Sequence, residues 1–389
     1  MKITMISNYI NHHQIPFSGA LYAALGENYR FIQTEPMEEE RVQMGWAVSE
    51  EELPYLTILK EDNTERCKQL ILECDLLLAG WTLREDLIGL RLREKKPTVR
   101  ISERIYREGQ WKAVSPKGLI RKYKDHIRYR KAPVWLLCAG AYVASDFALI
   151  GAYPGKMYRF GYFPETRHYE EETLEKMHVW GRMKNDAEIQ IVWAGRLIPL
   201  KHPEYAVMLA EHLKKEGYRF HLHMVGGGEL EEALRQQTAE KGLEREITFY
   251  GFRSPAYVRE IMERSHIHLF TSNRLEGWGT VVNEGMNSGC VVVAGDEAGA
   301  IPFLITQGEN GLVYHGDDPS DMLRRVTYLL EHPEEGRRMG LRAYRTIVEE
   351  WNAEMAAKRL LAFAEGLQTG ELPVYERGPL SAAPVIAAP

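Results

Sequence analysis

Short apolar runs alternate with segments of helical periodicity along most of this chain. Short, mainly apolar runs suit strands covered on both faces. In the first half such runs fall at 2–7, 29–33, 76–79, 98–101, 134–137 and 158–160. In the second half they fall at 189–193, 221–225, 247–250, 267–270, 291–294 and 311–314. Helical segments fill the gaps, among them 202–216, 229–241, 256–264 and 319–331. Strand–helix alternation of this kind predicts parallel α/β sheets. At 389 residues the chain is too long for one ordinary core, so two such domains are expected.

The pattern breaks between Gly161 and Asp186, where a Gly-Tyr-Phe-Pro segment is followed by the acidic run Glu170–Glu172. This predicts an N-terminal domain over 1–165, a linker over 166–187 and a C-terminal domain over 188–350. An amphipathic helix follows Trp351, over 351–367. Residues 368–389, rich in Pro and Ala, are expected to be a mobile tail.

Composition narrows the class. The net charge of −6 argues against general nucleic-acid affinity. No apolar run reaches the 18 or so residues that a membrane-spanning helix needs, and the first residues lack the pattern of a secretory signal. Cys67, Cys74, Cys138 and Cys290 are scattered, without metal-ligand spacing. A reduced, cytoplasmic protein with no metal and no cofactor is the simplest expectation.

Candidate chemistry concentrates in the second half. Glu276 and Glu284 lie eight positions apart, separated by Gly277-Trp278-Gly279-Thr280 and the start of a helix. A helix start offers N–H groups to a phosphate, and carboxylates on either side can hold hydroxyls. Ribose hydroxyls, a diphosphate and sugar hydroxyls would fill those places in turn. Gly195-Arg196 and Lys201 leave the strand at 189–193, where open α/β sheets bind ligands. Arg and Lys so placed can grip one diphosphate, although a pair of solvated cations is the plain alternative. Gly226-Gly227-Gly228 makes a strand-to-helix turn that lets backbone approach a ligand. Phe252 and Arg253, after Gly251, can meet a base edge.

Together these residues, from 186 to 350, resemble the retaining glycosyltransferases of family 4, which have the GT-B fold of two Rossmann-like doubly wound parallel-sheet domains facing a cleft. The resemblance implies that Arg196 and Lys201 bind the donor diphosphate. Glu276 would contact the donor sugar, Gly277 to Thr280 would offer backbone N–H groups, and Glu284 would hold the ribose. Gly195, Gly227, Phe252, Arg253 and Trp278 complete the implied donor site. Trp278 stands where the family often has Phe, and Gly285 where it often has Ala. The implied activity is retaining transfer of a sugar from a nucleotide-diphosphate donor, a UDP-sugar first and GDP-mannose next. The acceptor would be a hydroxyl of a saccharide or a lipid-linked precursor of a surface polysaccharide. No D-x-D sequence is present to hold a metal, so the cationic side chains would take that role.

The first half resembles the family less. Its first loop carries His12 and His13 where the family usually has two glycines. Either His can touch the reacting sugar or acceptor, His13 being the candidate for catalysis. Arg100, Ser102 and Glu103 are candidates for the acceptor cleft, and His126 is expected at the surface. From Arg91 to Lys131 there are 15 Lys and Arg against 4 Asp and Glu, a local charge of about +11. This stretch is expected either to meet anionic lipid at the inner membrane leaflet or to form a solvated basic face beside the active site. Three other readings share these residues: a nucleotide-sugar epimerase or hydrolase, a silent nucleotide-sugar-binding protein, and an NAD-dependent enzyme. The last lacks its G-x-G-x-x-G loop.

Overall fold

A computed structural model describes residues 1–39, 42, 48–180 and 188–389. It divides into two compact units, 1–165 with 351–388, and 166–350.

The first unit is built on a seven-stranded parallel sheet. Its strands are β1 Ile3–Ser7, β2 Tyr29–Gln33, β3 Leu56–Ile58, β4 Leu76–Ala79, β5 Thr98–Ser102, β6 Val134–Ala139 and β7 Met157–Phe160, in the order β3-β2-β1-β4-β5-β6-β7. β1, β4 and most of β6 are buried along their length, which explains their mainly apolar sequences. Leu87, Ile88 and Leu92 of one helix and Val143 and Phe147 of another pack with Ile6, Leu77 and Leu136 of the sheet. β3 is absent from the sequence prediction, being only three residues long.

The helix Ala353–Thr369 belongs to this unit. Phe363 meets Trp135 and Tyr158 edge-on, at ring separations of 5.9 and 5.2 Å. The residues after it are held in place where a mobile tail was expected. Leu380 and Ser381 are buried. Leu380 donates to the Arg159 carbonyl at 2.8 Å, Arg159 to the Ser381 carbonyl at 2.7 Å, and Ala383 to the Met157 carbonyl at 3.0 Å. The tail therefore runs along the edge of β7, which the apolar sequence pattern could not reveal because backbone groups make the bonds.

The second unit has a six-stranded parallel sheet of β8 Ile189–Ala194, β9 Phe220–Val225, β10 Ile247–Gly251, β11 Ile267–Phe270, β12 Val291–Gly295 and β13 Gly311–Tyr314, ordered β10-β9-β8-β11-β12-β13. The strand order reverses between β8 and β11. Of the expected linker, 181–187 lie outside the described residues. The part before them packs into this unit: Leu174, His178 and Trp180 are buried, and Arg167 pairs with Glu263 at 2.6 Å. Among the described residues no helix is long and apolar enough to cross a membrane.

Candidate functional site

Each unit gathers polar residues at the carboxyl ends of its strands, and the second unit does so most fully. The loop leaving β8 is sewn to those leaving β9 and β10. Gly195 donates to the Val225 carbonyl at 3.0 Å, Leu197 to the Gly227 carbonyl at 2.9 Å, and Gly226 to the Gly251 carbonyl at 2.9 Å. The approach is close enough to require glycine. A side-chain carbon on Gly226, at φ +131°, would fall 1.8 Å from the Gly195 carbonyl oxygen. The Phe252 ring lies over Gly227 with half its surface open, and the Arg253 guanidinium sits 5.5 Å from the Tyr257 ring centroid.

Lys201 ends a short turn, Pro199–Lys201, whose position is fixed by the loop after β11. The Thr271 hydroxyl donates to the Lys201 carbonyl at 2.5 Å and accepts from the Trp193 indole N–H at 2.8 Å. Asn273 donates its backbone N–H to the Leu200 carbonyl at 2.9 Å, and Glu276 donates to the Asn273 carbonyl at 3.0 Å. These bonds bring together two side chains 75 positions apart: the Lys201 ammonium is ion-paired with the Glu276 carboxylate. Both are about one-sixth exposed, at 16% and 17%. Arg196 stands exposed on the same loop as Lys201. A cation and a carboxylate held at the point where the strand order reverses have the chemistry to suit an anionic, hydroxyl-bearing ligand.

Glu284 lies on the next helix, Val281–Asn287. Burial pushes its carboxyl up to about 7, while Arg259 and Arg167 draw it back down. Arg259 also fastens this helix, donating to the Glu284 carbonyl at 3.1 Å and to the Asn287 side chain. The helix has only two turns, so its dipole contributes less toward an anion than the two full charges of Arg196 and Lys201.

Trp278 differs from its expected place. Its side chain is 1% exposed and its indole N–H donates to Asn283 at 2.8 Å. The ring is part of the interior, so it does not face a ligand. Gly279, at φ +94°, packs against the Phe270 ring.

Gly285 has a physical reason that the sequence did not disclose. The His268 imidazole fills the space beneath it, and a side-chain carbon on Gly285 would lie 2.3 Å from His268 Nδ1. His268 is fully buried, with no hydrogen-bond partner at either nitrogen among the described residues. Burial lowers its pKa to about 3, so the ring is neutral. His268 and Gly285 are thus one packing unit beside Glu284. The clue in the sequence was His268 within an apolar strand, 17 positions before Gly285, and it becomes meaningful only with the helix laid on β11.

In the first unit, the His12 and His13 rings lie with centroids 3.7 Å apart and planes tilted by 54°, and the His13 ring lies 6.4 Å from the Tyr162 ring. The Tyr162 hydroxyl donates to Glu103 at 2.7 Å, which sets His13, Tyr162 and Glu103 in one polar group. Ser102 turns its hydroxyl to the Glu103 carbonyl. Arg100 departs from its expected role, being 4% exposed and gripped by Glu85 through two bonds of 2.9 and 3.0 Å. His126 is not a surface residue either. It shares a 2.7 Å hydrogen bond with the Tyr153 hydroxyl, and burial, then Arg100 and Lys122, push its imidazole well below the usual range. The basic stretch is likewise partly internal. Arg91 is fully buried and donates to the carbonyls of Ile71, Asp75 and Pro97, and Arg104 pairs with buried Asp146.

Comparison with known proteins agrees with this geometry. Residues 179–346 match the family model of the glycosyl transferases group 1. The chain is 29% identical over 160 residues to a D-inositol 3-phosphate glycosyltransferase of Nocardia farcinica, covering 39% of this chain and 35% of that one. It is 25% identical over 208 residues to a GDP-mannose-dependent alpha-(1-6)-phosphatidylinositol monomannoside mannosyltransferase of Mycobacterium tuberculosis, covering 52% and 54%. The chain spans about a third of the length of the curated relatives first matched. Among solved structures, Anabaena HepE in complex with UDP superposes with a TM-score of 0.68 at 14% identity, over 95% of this chain and all of that one. Sucrose-phosphate synthase from Thermosynechococcus elongatus does so at 0.63 and 14%, with the same coverage. Residues 179–346 therefore form a glycosyl transferases group 1 domain, and the two parallel-sheet units have the GT-B fold.

Proposed function

We propose that this chain is a glycosyltransferase that moves a sugar from a nucleotide-diphosphate donor to a hydroxyl acceptor, with retention of configuration and without a metal. The observation that carries this reading is the meeting of Lys201 and Glu276 where the strand order of the second sheet reverses. Donor binding exchanges that ion pair: the Lys201 ammonium turns to the diphosphate, and the freed Glu276 carboxylate accepts bonds from sugar hydroxyls. Glu284 accepts from the ribose, and Phe252 and Arg253 face the base.

As the glycosidic C–O bond breaks, negative charge grows on the leaving diphosphate. Arg196 and Lys201 oppose it from a scaffold already in place, which favours the transition state over the ground state. The acceptor oxygen bonds to the anomeric carbon, and its proton passes to the departing phosphate oxygen. A UDP-sugar is the first donor to test, since a neighbour in fold carries UDP. GDP-mannose, named in the mycobacterial relative, is the next. The acceptor class is a saccharide or a lipid-linked precursor.

The test is turnover of each donor by the full chain with and without added acceptors, in EDTA, following nucleotide release and the configuration of the new glycoside. Acceptor-dependent release with an unchanged anomeric centre is expected. Donor consumed equally without acceptor would replace the reading by a hydrolase or epimerase. Bound donor that is never consumed would replace it by a binding protein.

A further inference from the structure

We infer that the helix Pro116–Asp125 and the turn before it dock on an anionic lipid surface. This rests on the first unit alone and stands apart from the donor-site reading. Pro116, Leu119, Ile120 and Tyr123 recur at the spacing of one helix face. A stripe of this kind normally turns into a core, yet no residue of this helix is buried. Ile120 and Tyr123 are 58% and 57% exposed, and Trp111 and Val114, on the turn Gln110–Val114, reach 70% and 79%. An open groove of about 630 Å³ runs beside them, with Trp111, Val114 and Pro116 as apolar walls and Lys112 and Lys122 at its edge.

Charge identifies the occupant. Lys117, Arg121 and Lys124 are exposed on the same helix. From Arg107 to Lys131 there are nine Lys and Arg against two acidic residues, Glu108 and Asp125. Removing the internal Arg91, Arg100 and Arg104 from the basic stretch leaves twelve Lys and Arg, nine of them in this segment and the other three, Arg93, Lys95 and Lys96, before it. A second copy of the chain docked through this same face would set these cations against their own kind. An anionic leaflet meets both features: the aliphatic and aromatic side chains enter the acyl boundary while the cations stay among the phosphates.

The test is flotation of the full chain with vesicles of phosphatidylcholine alone, or of phosphatidylcholine with phosphatidylglycerol, at low and high salt. The wild type should float with the anionic vesicles roughly tenfold more than with the neutral ones, and less at high salt. The double substitution Leu119→Glu and Ile120→Glu, at exposed positions, should lower that binding by roughly a further tenfold with an unchanged melting temperature. Absence of the wild type from the anionic vesicles would overturn the inference, as would equal flotation of the variant. A variant that floats like the wild type but sediments as a smaller species would instead make the face an interface between copies.

Discussion

The two units spend their cations differently. In the second, Arg196 and Lys201 stand at the carboxyl end of β8, one exposed and the other held by a carboxylate that a ligand can displace. In the first, Arg91, Arg100 and Arg104 come from the most basic part of the chain and are nevertheless internal, bonded to carbonyls, Glu85 and Asp146. A count of charge along the sequence describes neither case. What separates them is whether the partner is fixed by the fold or can be exchanged. Cations of the first kind hold the structure, and under the proposed function cations of the second kind do the chemistry.

Substitutions can break that distinction. Arg104→Met should have the largest effect on folding, about 3–5 kcal/mol, because it removes the counter-ion of the fully buried Asp146 carboxylate and leaves it only the hydrogen bonds from Tyr106 and Gln110; urea unfolding measures it. Lys201→Ala should cost about 2–4 kcal/mol of transition-state stabilisation, read from kcat/KM, with a smaller loss of stability than Arg104→Met. A Lys201 variant within about threefold of wild type in kcat/KM would remove Lys201 from the chemistry.

Gly285→Ala should cost about 1–3 kcal/mol by driving a methyl group into His268. The second change His268→Ala should recover much of that loss. Additive losses in the double variant would mean that the two residues do not share the space.

The smallest effect concerns pH. The folded Glu284 carboxyl titrates near 7 against a usual 4.5, so between those values the native state holds more protons than the unfolded state. Its contribution to stability is present below about 4.5 and is lost as pH rises through about 7. Glu284→Gln should flatten that slope in melting temperature, and it should also weaken nucleotide binding at pH 8, where the wild-type carboxylate is ionised.

Twelve of the strands and the loops of the candidate site were legible in the sequence because both-face burial writes short, mainly apolar runs, and because glycines mark the turns between β8, β9 and β10. What was not legible depends on contacts across the chain. The ion pair of Lys201 with Glu276 requires β8 beside β11. The glycine at 285 has meaning only with His268 beneath it. Trp278 reads as a ligand-facing aromatic until Asn283 is seen to take its N–H. The edge of β7 is covered by backbone bonds that carry no side-chain signal, and β3 is too short to show a pattern.

The most direct measurement is calorimetric titration of the wild type and of Lys201→Ala with UDP, GDP, ADP and dTDP in EDTA. The account predicts that one nucleoside diphosphate binds the wild type and that the variant binds it at least roughly tenfold more weakly. Equal binding by the two proteins would contradict the claim that Lys201 leaves Glu276 to hold the diphosphate.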